Sequence, residues 1–538
     1  MGDSTTCITM CGGPVYAGFF KRLSHIRNTE KSEPQKQSTG ISPRLEDNIA
    51  AMRELFRNDS DFVIREFVIP AAAKKKAALF CIDGLVSIES IKEGVLGPLM
   101  IESRKMQDYK KTKLNSIADI VNFFLVSPEI KTSDSLEAGC EACLIGDTVL
   151  MVDGFAELVC FNTKGFEKRS VSEPQTETVV RGPREGFTEV LRVNTSLIRR
   201  KIKNSSLRMD TMTIGTRTNT LVCLTYIDDI ANPELIREVK RRLGTINTDA
   251  ILNSGYIDEL IEDSTYSIFQ TINYSEKPDI VAARLLEGRC ALVVDGSPFV
   301  LTMPMLFIEC FQSPEDYAVR SYYATFLRIM RLIAFFVSLV APAVYVALTT
   351  FHQELIPTPL LFTIAASSEG LPFPSTAETA IMLITFEILK EAGIRLPKPV
   401  GQAISIVGAL VMGQAAIQAG IVGAPVVIVI AITAVSSFVS PVVSDSTAIL
   451  RWYLLLLTSI MGGFGIAIGL LTILIHLASL ESFGSVYLHP FLPLYAADLK
   501  DSIVRVPLWE MRTRPEELHA TDKARQDMSK PEFGKGDE

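Results

Sequence analysis

Charged side chains are missing from long stretches in the second half of this chain. No Asp, Glu, Lys or Arg occurs in residues 332–350, 400–444 or 452–480. An α-helix rises about 1.5 Å per residue, so about 20 apolar residues cross the ~30 Å hydrocarbon core of a bilayer. The pattern therefore predicts helices that span a membrane.

The lengths and flanks of these stretches predict how the helices run. As one helix, residues 400–444 would be more than twice as long as the ~30 Å hydrocarbon core is thick. We therefore expect a helical hairpin that turns at Gly420, Gly423 and Pro425. We expect residues 452–480 to form one further span. The basic residues before residue 332 place the start of the first span in the cytoplasm by the positive-inside rule. These residues are Arg320, Arg328 and Arg331.

A broken helix is predicted over residues 358–391. Apolar residues 359–366 run into a polar break that contains Pro372 and Pro374, and a second helical segment follows. Irregular backbone at membrane depth requires surrounding protein or a water-filled cavity. The break is therefore the strongest indication of a functional site in the chain.

Polar residues in and near this break are candidates for an ion path, because carboxylates inside a membrane are costly and usually functional. The candidates are Ser367, Ser368, Glu369, Glu378, Gln414 and Gln418. Two alternatives stay open. Glu369 and Glu378 could lie in the outer interface, with Glu387 at the inner one, and the two glutamines, one helical turn apart, could hydrogen-bond to neighbouring helices instead.

Two features of the sequence disagree about the side of the membrane on which the C-terminus lies. Counting every apolar segment gives five crossings and an external C-terminus, whereas the basic residues after residue 481 favour the cytoplasm. One segment is therefore expected not to be a full crossing, and the broken helix is the first candidate.

A duplicated α/β pattern precedes the apolar half. A strand, a turn, a second strand ending in Ile82-Asp83 and a helical pattern recur as a unit that ends in Ile227-Asp228. Farther on, an Asp-Gly turn between apolar strands appears first at Asp153 and again at Asp295. Asp-Gly between apolar runs is a strong hairpin signal. We infer two tandem subdomains of similar fold.

The chemistry-bearing residues of this half favour structural roles. The four aspartates above could form a carboxylate cluster, but their positions are typical of turns and helix caps. Cys140 and Cys143 form a lone Cys-x-x-Cys without two further ligands at a suitable spacing, so we expect structural thiols and no metal. We identify no catalytic residues and no cofactor-binding loop. The net charge of -8 argues against nucleic acid as a partner.

Several motifs resemble those of spore germinant receptor A subunits, the GerA family. The first is Arg181-Gly182-Pro183-Arg184-Glu185-Gly186 with Phe187 after it. The others are Ser313-Pro314-Glu315-Asp316-Tyr317, Leu371-Pro372-Phe373-Pro374, and Pro507-Leu508-Trp509 near the end. We expect Arg181, Gly182, Arg184, Glu185 and Gly186 to order the junction between the two subdomains.

The resemblance implies a membrane subunit of a nutrient-sensing receptor in the inner membrane of bacterial spores. It implies a homo-oligomer, with a pentamer expected, that forms a nutrient-gated cation channel beside a transporter-like B subunit and a lipoprotein C subunit. A secondary transporter, which also uses broken helices, is the alternative. An enzyme is not expected.

The expected architecture is thus an α/β tandem-duplicated soluble region, an α-helical transmembrane bundle and a short cytoplasmic tail. The expected units are a disordered tail 1–43, subdomains 44–185 and 186–318, the membrane domain 319–482 and the tail 483–538.

Overall fold

The computed structural model describes residues 40–57, 59–70, 75–102, 116–124, 130–165, 177, 181–395, 413–495 and 497–527. Most of the expected disordered tail, residues 1–39, lies outside these ranges, as do residues 400–412 of the expected hairpin. The first described residue, Gly40, forms an isolated antiparallel bridge with Ser135.

The described part of the first repeat contains five strands and four α-helices. They are α1 (Leu45–Phe56), β1 (Phe62–Ile69), β2 (Lys75–Ile82), α2 (Ile88–Ile91, continued by a π-helix Lys92–Glu102), α3 (Ile117–Phe124), β3 (Ile130–Ser133), α4 (Leu136–Ile145), β4 (Thr148–Val152) and β5 (Leu158–Phe161). The strands form one antiparallel sheet in the order β1-β2-β4-β5-β3.

The second repeat has the same strand order. Its elements are α5 (Leu191–Lys201), β6 (Leu207–Ile214), β7 (Thr220–Ile227), α6 (Pro233–Thr245), α7 (Ser254–Ile261), β8 (Asn273–Ser275), α8 (Pro278–Leu285), β9 (Cys290–Val294) and β10 (Val300–Met303). The sheet order is β6-β7-β9-β10-β8, again antiparallel throughout. The repeated motifs thus correspond to two sheets of the same topology.

Helices cover both faces of each sheet because successive strand residues point to opposite sides. In β2, Phe80 and Ile82 pack with Met52 of α1, while Leu79 packs on the other face with Leu99 of the π-helix. Each repeat therefore has two apolar clusters, one on each side of its sheet.

The two Asp-Gly turns have the same structural role in the two repeats. Asp153 accepts a hydrogen bond through Oδ1 from the N–H of Leu45 at 3.1 Å, and Asp295 accepts one from the N–H of Leu191 at 3.0 Å. Both donors are first-turn amides of a helix, α1 or α5, whose own N-cap residue makes no side-chain cap. These two carboxylates therefore cap helices in addition to occupying the predicted turns, whereas the capping role was expected of Asp83 and Asp228.

A buried ion cluster joins the two repeats. The guanidinium of Arg199, on α5, is 0% exposed and donates to both oxygens of Asp61 at 2.8 Å and to Asp59 Oδ2 at 3.0 Å. The two aspartates belong to the loop between α1 and β1 of the first repeat. Burial raises the pKa of Asp59 to about 6, so its charge depends on the adjacent arginine.

Within the described ranges, six α-helices that are longer than two turns follow the second repeat. They are α9 (Ser321–Val346, continued by a π-helix Ala347–Phe351), α10 (Thr358–Ser368), α11 (Ser375–Arg395), α12 (Ala424–Val439), α13 (Ser444–Met461) and α14 (Gly463–Ser479). A further helical turn covers residues 413–418. Among the described residues, one helix, Ser321–Phe351, is long and apolar enough to cross a membrane alone. A bent pair, Ala424–Val439 with Pro441–Met461 at 113°, meets the same test only if taken together.

Residues 452–480 were expected to form one span, long enough to tilt or to bend at its glycines; the turn lies at one of these glycines, but it is a full reversal, so the single span is wrong. Gly462 has φ +59° and ends α13, and α14 folds back along it, with the hydroxyl of Tyr453 2.9 Å from Thr472 Oγ1. A Cβ at Gly465 would lie 2.4 Å from the carbonyl oxygen of Leu457, so this residue permits the close approach of the two helices. The reversal makes a hairpin of two helices, 18 and 17 residues long.

The helices have two distinguishable ends. At the near end, Ser446 of α13 donates to the carbonyl of Ile268 in the second repeat at 2.7 Å. At the far end, Phe351 packs against Gly462, where a Cβ would lie 2.7 Å from the ring. The first long helix and the α13–α14 turn therefore reach the same far end, and α14 returns to the second repeat.

The C-terminal segment packs against the second repeat and the N-terminal part of α9. The segment begins with a small hairpin, β11 (Glu481–Ser482) and β12 (Ser485–Val486). Farther along it, Asp501 Oδ1 accepts a hydrogen bond at 3.0 Å from Nη1 of Arg328 in α9. The Nε of the same arginine donates to Asp316 at 2.9 Å. Farther on, the N–H of Thr521 donates to the carbonyl of Ile230 at 2.9 Å. The segment thus links the helices to the second repeat.

We expect Arg199→Met to lower the free energy of unfolding by about 3–5 kcal/mol, because it leaves Asp61 buried without its cation. The measurement is thermal and chemical denaturation of the full chain in detergent. Arg200→Met is the matched control: it removes a partly exposed pair with Glu185 at 3.1 Å and should cost less than about 1 kcal/mol. Equal losses in the two variants would contradict a special role for Arg199.

Candidate functional site

The predicted break lies between α10 and α11. Helix α10 ends at Ser368, Gly370 takes φ +83°, and α11 begins at Ser375 directly after Pro374. A left-handed glycine and a proline both stop helix propagation. The hydroxyls of Ser367 and Ser368 donate to the carbonyl of Ile364 at 2.7 and 3.0 Å, so both serines bond within their own helix.

Glu378 lies inside the fold of the single chain. Its side chain is 3% exposed, and Oε2 accepts a hydrogen bond from the N–H of Gly423 at 2.8 Å. Gly423 is the N-cap of α12, so the carboxylate lies at the positive end of that helix. In the single chain Glu378 therefore joins α11 to the start of α12.

The remaining polar candidates lie at the far end of the helices. Glu369, Gln414 and Gln418 are exposed, in contrast to Glu378. Ser367 is close to the α12 N-terminus, because a Cβ at Gly423 would lie 3.5 Å from its carbonyl oxygen. The structure therefore brings the break next to the turn that follows Gln418, although the two segments are about 50 residues apart in the sequence.

An ion pair between α11 and α13 is the contact that the sequence analysis missed. Arg451 is 2% exposed, and its Nη1 donates to Glu387 Oε1 at 2.9 Å while its Nε donates to the carbonyl of Ser338 in α9 at 2.9 Å. The expected position of Glu387 at a membrane interface beside Lys390 omits this partner. One signal was available: Arg451 is the single basic residue between two long uncharged stretches.

Lys390 makes the next contact between the same two helices. Its Nζ donates to Ser444 Oγ at 2.8 Å and lies 3.7 Å from Asp445 Oδ1. Two basic–acidic contacts therefore hold the second half of α11 against the first half of α13, near the second repeat.

The Arg181–Gly186 motif lies beside the second repeat. Glu185 pairs with Arg200 at 3.1 Å and with Lys201 at 3.4 Å, both at the end of α5, and Gly186 is buried. Arg181, Gly182 and Arg184 are exposed. The buried ionic contact between the repeats is instead made by the preceding residue of α5, Arg199, so the ordering role of the motif stays a prediction.

The two cysteines of the Cys-x-x-Cys sequence are buried in α4. Burial raises the pKa of the Cys140 thiol to about 11 and that of Cys143 well above its usual range. Thiols of this kind are weak nucleophiles and poor metal ligands at neutral pH. Within the described ranges, no three His, Cys, Asp or Glu side chains form a metal-binding group.

We expect Glu387→Gln to destabilise the helical part, because it leaves the Arg451 guanidinium buried without a counter-charge, at a cost of about 3–5 kcal/mol. The measurement is thermal denaturation of the full chain in detergent. Glu391→Gln, which breaks an exposed pair with Arg395, is the control. Adding Arg451→Met to Glu387→Gln should recover most of the loss, and a double variant as unstable as the single one would refute the pairing.

We expect Cys140 to react slowly with iodoacetamide at pH 8 in the folded chain. A rise of the thiol pKa from 9.0 to about 11 reduces the thiolate fraction about a hundredfold. Site-resolved mass spectrometry of folded and denatured protein measures the two rates. Labelling at the denatured rate in the folded chain would indicate an activated thiol.

Known proteins resemble this chain over most of its length. Residues 50–517 match the family described as Bacillus/Clostridium GerA spore germination protein. The chain is 45% identical to spore germination protein KA of Bacillus subtilis (strain 168) over 488 residues, 90% of this chain and 89% of that protein. It is 42% identical to the uncharacterized membrane protein YfkQ of the same organism over 497 residues, 92% of this chain and 94% of that protein.

A solved structure is also similar. The crystal structure of the N-terminal domain of the A subunit of the Bacillus megaterium spore germinant receptor GerK3 shares 33% sequence identity, with a TM-score of 0.39, over 51% of this chain and 99% of that one. From the match over residues 50–517 and the identity to full-length relatives, we conclude that this chain belongs to the GerA family of spore germination proteins.

Proposed function

We propose that the chain is a non-enzymatic membrane subunit of a nutrient-sensing germination receptor, and that several copies assemble around a gated cation path. The observation that carries the proposal is the gathering of exposed polar residues at the far end of otherwise apolar helices. Glu369 comes from the break, and Gln414 and Gln418 come from the turn beside it. Exposed polar side chains in such helices need water or partner chains around them.

The helix directions support a membrane domain with both ends on one side. The proposed crossings among the described helices are α9, α11, α12, α13 and α14. Helix α9 leaves the second repeat, and after the turn at Gly462 helix α14 returns to it, where Ser267 Oγ lies 3.1 Å from His476 Nε2. This arrangement is consistent with soluble repeats and a basic C-terminal segment that share the cytoplasmic side.

Individual helix lengths are compatible with these crossings. Helices α13 and α14, with 18 and 17 residues, measure about 27 and 26 Å, close to the ~30 Å hydrocarbon core. The relative YfkQ is described as a membrane protein. Helix α10, with 11 residues, is too short to cross and is proposed to remain near the far surface.

The proposed location and partners follow from the family. We place the protein in the inner membrane of the bacterial spore, as a homo-oligomer, with a pentamer as the working stoichiometry. A transporter-like B subunit and a lipoprotein C subunit are the proposed partners, and the B subunit would transmit nutrient binding to the gate.

Within the cation path, we assign different roles to the two carboxylates. Glu369, repeated around the oligomer axis with Gln414 and Gln418, would form rings that favour cations. Glu378 would act as a positioning residue, because its carboxylate holds the start of α12 next to the break. Ser367 and Ser368, which bond to their own helix, would face the same region.

Ion flux into liposomes tests the proposed channel. The protein, purified with its partner subunits, should carry potassium or sodium down a gradient in response to nutrient. Flux that is driven uphill by a coupled ion would instead support the alternative, a secondary transporter. Absence of nutrient-dependent flux in liposomes that contain the complete receptor would refute both.

In the same assay, Glu369→Gln should lower cation flux or shift cation-over-anion selectivity while assembly is unchanged, because it removes one charge per subunit from the ring. Glu354→Gln, an exposed carboxylate at the same end but outside the break, is the control and should conduct like the parent. Glu378→Ala should reduce assembly and flux together, because it removes the contact with Gly423. Parent-like selectivity in the Glu369 variant would place the rings elsewhere.

A further inference from the structure

A cavity of about 530 Å³ lies between the second repeat and the near end of the helices. One wall comes from α8 and the residues after β10, and the other comes from Arg331 of α9 and residues 439–442. We call it the junction cavity. Its volume falls within the range of small-molecule pockets, about 300–1,000 Å³.

The three arginines of the junction cavity are already paired. Arg284 lies 3.2 Å from Glu309 Oε2, and Arg289 contacts Glu309 and Glu287. Arg331 donates to Asp316 at 2.9 Å, outside the cavity lining. Among the described residues that line the cavity, no guanidinium is therefore left over to receive an anion.

Two carboxylates of the cavity have no cation within ion-pair distance. Neither Asp279 nor Glu177 makes an ion pair with any residue that the structure describes. Asp279 Oδ1 is buried and has no hydrogen-bond partner in the same ranges. Glu177 Oε2 accepts from Ser275 Oγ at 2.6 Å and from the N–H of Glu276 at 3.2 Å, which fixes its position. Burial raises the pKa of Glu177, and the hydrogen bond from Ser275 and the more distant charge of Arg284 lower it only in part.

Part of the remaining wall is apolar, beside the polar side chains of Asn273, Gln312 and Ser313. Ile280, Ala283, Val439 and Val442 line the same cavity. A hydrated metal ion would gain nothing from these side chains, whereas an aliphatic group would bury its surface there. The lining thus combines two carboxylates that no cation contacts and a surface for a hydrocarbon body.

We propose that the junction cavity binds a small organic cation, a primary ammonium group on a short aliphatic body. The ammonium donates to Asp279 and Glu177, and the body packs on the residues around Val442. The proposal concerns a site away from the ion path and is independent of the channel.

Occupancy of this site has a structural consequence. Residues 439–442 connect α12 to α13, which are bent by 113° at this point, while Asp279 lies in the first turn of α8. A ligand that touches both walls ties the second repeat to this bend. It therefore stabilises the arrangement of the two parts seen in the structure.

The test uses the full chain in detergent, with n-pentylammonium chloride, 1-pentanol and potassium chloride as probes. Calorimetric titration and the ligand-induced rise in melting temperature are measured for the parent, Asp279→Asn and Asp249→Asn. Asp249 is an exposed aspartate on the same repeat, so its variant makes the same chemical change away from the cavity.

We expect the dissociation constant for pentylammonium to rise at least about tenfold in Asp279→Asn and to stay unchanged in Asp249→Asn, since a buried charged hydrogen bond is lost only in the first. Pentanol lacks the charge, so its dissociation constant for the parent should be at least as high as that of pentylammonium for Asp279→Asn. Equal binding by parent and Asp279→Asn would overturn the proposal. So would equal stabilisation by pentanol, or by potassium chloride, which would assign the effect to the apolar body or to any monovalent cation.

Discussion

The ion cluster of Arg199 with Asp59 and Asp61 is the contact on which the arrangement of the soluble half depends. Each repeat has its own sheet and its own pair of apolar clusters, so neither needs the other to bury its core. The orientation between them is fixed where three buried charges must meet. A buried charge without a partner is far more costly than a lost apolar contact. The cluster therefore stabilises the relative placement of the repeats that the structure shows.

The same constraint recurs in the helical part. Arg451 with Glu387, and Glu378 with the α12 N-terminus, fix α11 against α13 and against α12. Sliding apolar helix faces past each other loses packing contacts, and sliding an ion pair apart also leaves buried charges without a partner. Ionic contacts that are buried between helices do not tolerate such sliding. We infer that the position of α11, which follows the break, is set by these contacts.

Between the two parts, the C-terminal segment and the near end of the helices form a shared interface. Arg328 joins the N-terminal part of α9 to Asp501, and Ser446 joins α13 to the second repeat. The junction cavity lies within this interface. Packed, hydrogen-bonded contacts therefore connect the α/β repeats to the helices, and the proposed organic cation would bind where the two parts meet.

The sequence by itself determined the local elements and their repetition. Alternating apolar residues and the Asp-Gly turns predicted both sheets, since a hairpin depends on residues that are adjacent in the chain. The uncharged stretches and Pro374 predicted the helices and the break for the same reason. The resemblance in short motifs predicted the family, which the comparisons confirm.

Only the tertiary structure decided which charges meet. Arg199 and Asp61 are 138 residues apart, and Arg451 and Glu387 are 64 apart, so no local pattern indicates either pair. The glycines of residues 452–480 predicted a possible bend but not the full reversal at Gly462, because an uncharged stretch has the same pattern whether it forms one long helix or two packed ones. The left-handed backbone of that glycine and the contact of Phe351 separate the two cases. The burial of Glu378 could not be predicted from the sequence either. Its hydrogen-bond donor, the N–H of Gly423, lies 45 residues farther along the chain.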